Sequence, residues 1–243
     1  MMSKITGFLG YFLLLAGLAV ASVETATPVL RVYGPGGPYH ALSECADLYR
    51  DRYGVEVQVV RALPHDLAEW IRVDGDIYYG GAPCMLEEFV ENNPGLLDLA
   101  SVELLYPRQV GIVVRAGNPL GIEGLGCLTE ENVGLLDVKL ENMRQLHNAF
   151  TEQPNNLKSL VYTGRQGLRA WRNEPEIDAW VTYRSWHVKL DDADFIELPP
   201  EQGLRYTPLA LTTRTAWPQQ ARNFLEFLKS EDACRIFQKH GWD

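Results

Sequence analysis

The residue types that carry out covalent chemistry occur in this chain, but not at spacings that would assemble them locally. Five histidines, His40, His65, His147, His187 and His240, fall in separate segments with no ligand-like interval. There is no G-x-S-x-G elbow, no H-E-x-x-H and no G-x-x-x-x-G-K-[ST] loop. No two carboxylates stand out as an acid/base dyad. No enzyme activity, metal or cofactor is therefore expected. What recurs is a turn leading from an apolar strand into a helix, at 34–39, 61–66, 80–84 and 163–166. Such turns leave backbone N–H groups at the positive end of a helix, where an anion is favoured. The first of them, Gly34-Pro35-Gly36-Gly37-Pro38, follows Leu30-Arg31-Val32-Tyr33. Its glycines and prolines also suit a purely conformational role, through free φ at one and fixed φ at the other. Arg165, in the fourth turn, offers a forked charge for a carboxylate or oxyanion, or is a solvated surface residue. Several such turns at the carboxyl ends of parallel strands make a crevice lined with N–H donors, and Tyr183, which ends an apolar strand, can turn its hydroxyl into it. His40 and His65 each open a helix, where they bond an anion or cap a turn.

The elements that must position these turns alternate. Tyr39 to Tyr53 shows helical periodicity, with Ala41, Leu42, Cys45, Leu48 and Tyr49 on one face, and Gly54 stops it. Val55 to Val60 alternates like a strand. Pro64 begins a helix that ends before Gly75, and Asp76 to Tyr79 is a third strand running into a helix from about Cys84 to Glu91. This β-α rhythm predicts a parallel sheet covered by helices. Val102 to Tyr106 and Gln109 to Arg115 read as two apolar strands. The rhythm then returns: strand 132–138, helix 140–151, strand 157–162, a helix after Gly164, and strands 177–183, 195–198 and 206–213. Two helices, 216–229 and 231–240, close the pattern with stripes of Phe224, Leu225 and Leu228 and of Cys234, Ile236 and Phe237, expected to be core. Two α/β lobes fit better than one long sheet.

A chain of 243 residues supports a sizeable core, and its formal net charge of -10 argues against nucleic acid as a partner. Acidity does not exclude a small anion held by local dipoles and one or two arginines. Lys4, the apolar run Ile5 to Val20 and Ala19-Val20-Ala21 form a signal-peptide pattern over 1–21. Export to the periplasm and no stable membrane insertion after cleavage are expected. Export makes disulfides among Cys45, Cys84, Cys127 and Cys234 feasible; one or two bridges and free buried thiols both remain open.

Several segments resemble the AcfC-like (accessory colonisation factor) proteins, periplasmic solute binders related to the molybdate and sulfate binders. They are Val32 to Pro38, Gly117-Asn118-Pro119, Asn173 to Thr182, and Ile236 to Trp242, in order along the mature chain. The resemblance implies a two-lobed periplasmic-binding-protein type II fold, with two mainly parallel sheets joined by two crossing strands. The first lobe would comprise 28–106 and 208–243, the second 107–207. It also implies ligand contacts from Gly34, Pro35, Gly36, Gly37 and Pro38, from Gly80, Gly81 and Ala82, and from Thr182 and Tyr183. A sulfate-like oxyanion or small organic acid would be captured by hinge closure and delivered to an ABC permease or chemoreceptor, by a monomer without cofactor. The chain departs from the family after Val138, where Lys139-Leu140-Glu141-Asn142 replaces a longer Gly/Ser-rich loop, and at Arg165, where small polar residues are usual. That departure keeps a second reading in view, a secreted colonisation or interaction module with a remodelled cleft. An exported enzyme on the same scaffold is the third.

Overall fold

The computed structural model describes residues 29–139 and 155–243. Strand β1 (Val29–Gly34) lies between β2 (Glu56–Arg61) and β3 (Ile77–Tyr79), parallel to both. Helix α1 (Tyr39–Tyr53) crosses from β1 to β2 and buries Ala41, Leu42, Cys45, Ala46 and Tyr49. It ends at Gly54, whose φ of 68° is the left-handed conformation glycine accepts at no cost, and whose N–H reaches the Arg50 carbonyl. Helices α2 (Pro64–Asp74) and α3 (Pro83–Asn92) each begin with a proline, which gives up a donor that would lack an intrahelical acceptor anyway.

The two strands expected on either side of Pro107 are one. Strand β4 (Glu103–Arg115) runs through thirteen residues with a register shift between Leu105 and Pro107. Proline has no N–H for the ladder, so the irregularity falls where a regular pairing could not continue. Up to Gln109, β4 pairs antiparallel with β9 (Leu204–Leu211); from Val110 onward it pairs with β7 (Ala179–Tyr183) and β8 (Ala193–Glu197). Strand β9 continues antiparallel onto β3. Beyond β7 lie β5 (Leu135–Val138) and β6 (Leu157–Val161), again parallel. The order is β2-β1-β3-β9-β4-β7-β5-β6, with β8 also on β4. Two mainly parallel portions thus meet on β4 and β9, the type II binding-protein architecture. The remaining helices are α4 (Gly164–Asn173), the short turns α5 (Arg184–His187) and α6 (Pro200–Gly203), then α7 (Pro218–Phe227) and α8 (Glu231–Lys239).

Each portion is apolar on both faces. In the first, Leu30, Val32 and Tyr79 pack with α1, α7 and α8, and Tyr33, Tyr78 and Ala210 pack with α2 and α3. Phe224, Leu225, Leu228 and Phe237 are core as expected, whereas Cys234 is only partly covered. In the second, Trp171 and Trp180 are fully buried against Val138 and Ile177. The helix expected over 140–151 and the signal segment 1–21 lie outside the described residues. Among the described residues no helix is long and apolar enough to cross a membrane.

No two of the four cysteines are joined in a disulfide, and of the four Cys45 alone is buried. Cys45 is wholly buried, and burial pushes its thiol up to about 12. The melting temperature should therefore be unchanged by reductant, whereas losing a native bridge would cost about 2–5 kcal/mol. In native alkylation followed by peptide mass mapping, Cys45 should label last.

Candidate functional site

The ends of β1 and β3 set two turns side by side. Gly34 ends β1 so close to β3 that a Cβ would lie 2.1 Å from the Tyr79 carbonyl oxygen, so only glycine fits. Helix α1 then starts without a side-chain cap. Its first bond to the preceding loop runs from the Leu42 N–H to the Pro38 carbonyl, which leaves the His40 and Ala41 N–H groups without an acceptor among the described residues. In the second turn the Gly80 N–H is spent on the Pro208 carbonyl, and Met85 N–H returns to Ala82.

Arg108 links the two turns. It sits on β4 one residue past Pro107 and is 2% exposed. Its Nη2 donates to the Gly81 carbonyl at 2.7 Å, and its Nη1 lies 2.7 Å from where a Cβ on Gly37 would be. The guanidinium carbon is 3.4 Å from the Tyr183 ring centroid and 5.1 Å from that of Trp242. Both rings are themselves fixed: Tyr183 ends β7 opposite Val110, and the Trp242 indole N–H donates to Thr207 Oγ1 on β9.

Around the mouth of the first turn the charge is positive. The Arg61 guanidinium lies 4.8 Å over the Tyr39 ring, and Lys189 Nζ lies 4.3 Å over Trp186. His40 is held below the usual imidazole range, first by desolvation and then by the charges of Lys189, Arg61, His240 and Arg165. Lys189 and Arg165 come from the second portion, Arg61 and His40 from the first, so the two portions face one another here. Behind them, Glu44 binds Lys239 and His240, and those bonds, Lys239's foremost, hold its carboxyl below the usual range.

The sequence-predicted residues separate into groups. Gly37 and Gly81 meet at Arg108, with Pro35 3.9 Å from the Cβ position of Gly81. Gly36 is exposed with open space around it, and Pro38 and Ala82 are buried at the two helix starts. Gly34 and Gly80 are committed to close packing, the latter against Pro208. Thr182 and Tyr183 are both buried, and Arg165 is exposed among the cations around His40. In the fourth turn Thr163 and Gln166 form a capping box, each side chain closing on the other's backbone N–H, and the Gly164 and Arg165 N–H groups are left without an acceptor among the described residues. The Arg165 side chain from that turn acts on His40. Arg108, Arg61 and Lys189 were not singled out from sequence. For Arg108 a signal exists, since a charge inside an otherwise apolar strand must be exposed or answered. A groove of about 370 Å³ between β6 and α4, lined by residues such as Tyr162, Gln166 and Arg169, includes none of these residues.

A family model for bacterial extracellular solute-binding proteins matches residues 30–243. Among solved structures, Peb3 from Campylobacter jejuni aligns at 24% identity with a TM-score of 0.69, over 88% of this chain and 98% of that one. The sulfate-binding protein SubI from Mycobacterium tuberculosis aligns at 15% identity with a TM-score of 0.68, over 88% and 86%. The periplasmic molybdate-binding protein of Azotobacter vinelandii aligns at 13% identity with a TM-score of 0.66, over 88% and 98%. At these identities the likeness establishes the fold. Comparison with the curated proteins gives no match.

The depressed His40 pKa fixes the sign of a pH effect. Stability from neutral His40 is complete above its ordinary value of 6.5 and declines as pH falls through the lower folded-state value. Between about pH 7.5 and about pH 5.5, ligand-free His40→Gln should lose less melting temperature than the parent protein. Calorimetry at both pH values measures this, and equal slopes would show that His40 is not held below its ordinary value.

Proposed function

The chain belongs to the bacterial extracellular solute-binding proteins, and on that premise we propose that it captures a small anion, a sulfate-like oxyanion or small organic acid, in the cleft between its two portions. The observation that carries this reading is the sign of the charge around His40. In a chain of net charge -10, Arg61, Arg165, Lys189 and His240 all act on one imidazole at the entrance of the Gly-rich turn. A cluster of fixed cations beside uncapped N–H groups favours an anion and repels a metal cation. The neighbours point the same way. Peb3 has been crystallised with L-phospholactate, and SubI is named for sulfate. HitA of the same fold holds iron, a ligand these cations would disfavour.

In this reading 28–106 with 208–243 and 107–207 act as lobes that close on the ligand by bending β4 and β9. The loaded monomer hands its solute to an ABC permease or a chemoreceptor. Residues 1–21 direct it to the periplasm.

Protein that has been unfolded, dialysed and refolded should respond in a melting panel of sulfate, molybdate, phosphate, aspartate, citrate and neutral sugars. An anion at about 100 times its dissociation constant adds about 2.7 kcal/mol, a rise of several degrees. Reversing both rim charges with Arg61→Glu and Arg165→Glu should weaken that anion at least about 10-fold at low salt, and by less as salt is raised. A rise with sugars alone, or no response to any anion, would remove the reading.

A further inference from the structure

The anion-receptor reading leaves one residue without a role, and it is the most constrained charge among the described residues. Arg108 is buried, forms no ion pair there, and makes a single hydrogen bond, to the Gly81 carbonyl. Its Nε is buried with no partner. Tyr183 covers one approach at 3.4 Å and Trp242 lies at 5.1 Å. Trp242 is pinned by Thr207, and the next residue donates its N–H to the Pro107 carbonyl beside Arg108 itself. A guanidinium taken out of water and left unpaired is strongly destabilising, so a site built this way calls for a negative charge from elsewhere. The free side of the fork lies behind the residues that have no side chain. Nη1 is 2.7 Å from the Cβ position of Gly37, and Nη2 is 3.6 Å from that of Gly81.

Building on the anion-receptor reading, we propose that Arg108 is the anchoring residue of the site. It pairs with a carboxylate or oxyanion seated between the 34–38 and 80–82 turns, while the Tyr183 and Trp242 rings fix the plane of its guanidinium. The rim cations gather the ligand; Arg108 holds it. A lysine would supply the charge without the planar fork that the rings grip.

The test is calorimetric titration of sulfate, phosphate and citrate into the parent protein, Arg108→Gln, Arg108→Lys and Gly37→Ala, with melting of each ligand-free protein. Arg108→Gln should lose about 100-fold or more in affinity, and Arg108→Lys and Gly37→Ala about 10-fold or more. Ligand-free Arg108→Gln should melt at or above the parent temperature, because an unpaired buried charge is gone. Undiminished affinity in folded Arg108→Gln overturns this inference and leaves the anion receptor standing. Lost affinity together with a lower ligand-free melting temperature also overturns it, marking Arg108 as structural. Should Arg108→Gln fail to fold, Gly37→Ala decides, and parental affinity there refutes the anchor. A parent protein that binds none of these anions overturns both readings.

Discussion

One strand has to serve two sheets. Up to Gln109, β4 is bonded to β9, and from Val110 it is bonded to β7 and β8, so the two portions share a backbone without sharing a core. The register shift falls at Pro107, a residue unable to donate to a ladder, the change of partner falls after Gln109, and between the two lies one buried charged side chain. That side chain is Arg108. Around its guanidinium meet Gly37 and Gly81 of the two turns and the rings of Tyr183 and Trp242.

The electrostatics show why net charge is a poor guide to a site. Many of the acidic groups are tied up in exposed pairs such as Arg50 with Asp47 and Lys229 with Glu103, which contribute little to stability and nothing to the cleft. The charges that act at the first turn are instead a few cations whose charged ends lie over aromatic rings, Arg61 over Tyr39 and Lys189 over Trp186. A solute approaching within a Debye length feels those groups rather than the total.

Much of the fold is legible in the sequence because it rests on local rules. Apolar spacing marks α1, α7 and α8, Gly54 marks a helix end, and the alternation of strand and helix marks the parallel portions. The sequence predicts two strands on either side of Pro107, since proline in a central strand is rare and no local pattern shows that one strand runs through it and changes partner after Gln109. The site was legible only as loops. That Gly34 and Gly80 are needed for close packing depends on Tyr79 and Pro208, which come from other elements. The weight of Arg108 depends on contacts 27, 75 and 134 residues away, at Gly81, Tyr183 and Trp242, and no local pattern encodes them.

The two sides of the cleft are equipped differently, and the difference implies an order. The first portion offers backbone N–H groups at the uncapped start of α1, held by the fold and aimed before any ligand arrives. Preorganised dipoles of this kind lose almost no entropy on binding. In the second portion the capping box at the start of α4 takes up the Gln166 N–H, and the charges from that side that act on His40 are those of Arg165 and Lys189, at the ends of long side chains. Ordering each such side chain costs about 0.5–1.5 kcal/mol. On the anion-receptor reading an anion gains first from the rigid turn and Arg108, and the cations of the second portion add their share as the portions approach. On the anion-receptor reading closure follows occupancy, because a negative charge placed by the first set of contacts draws the cations of the second portion toward it.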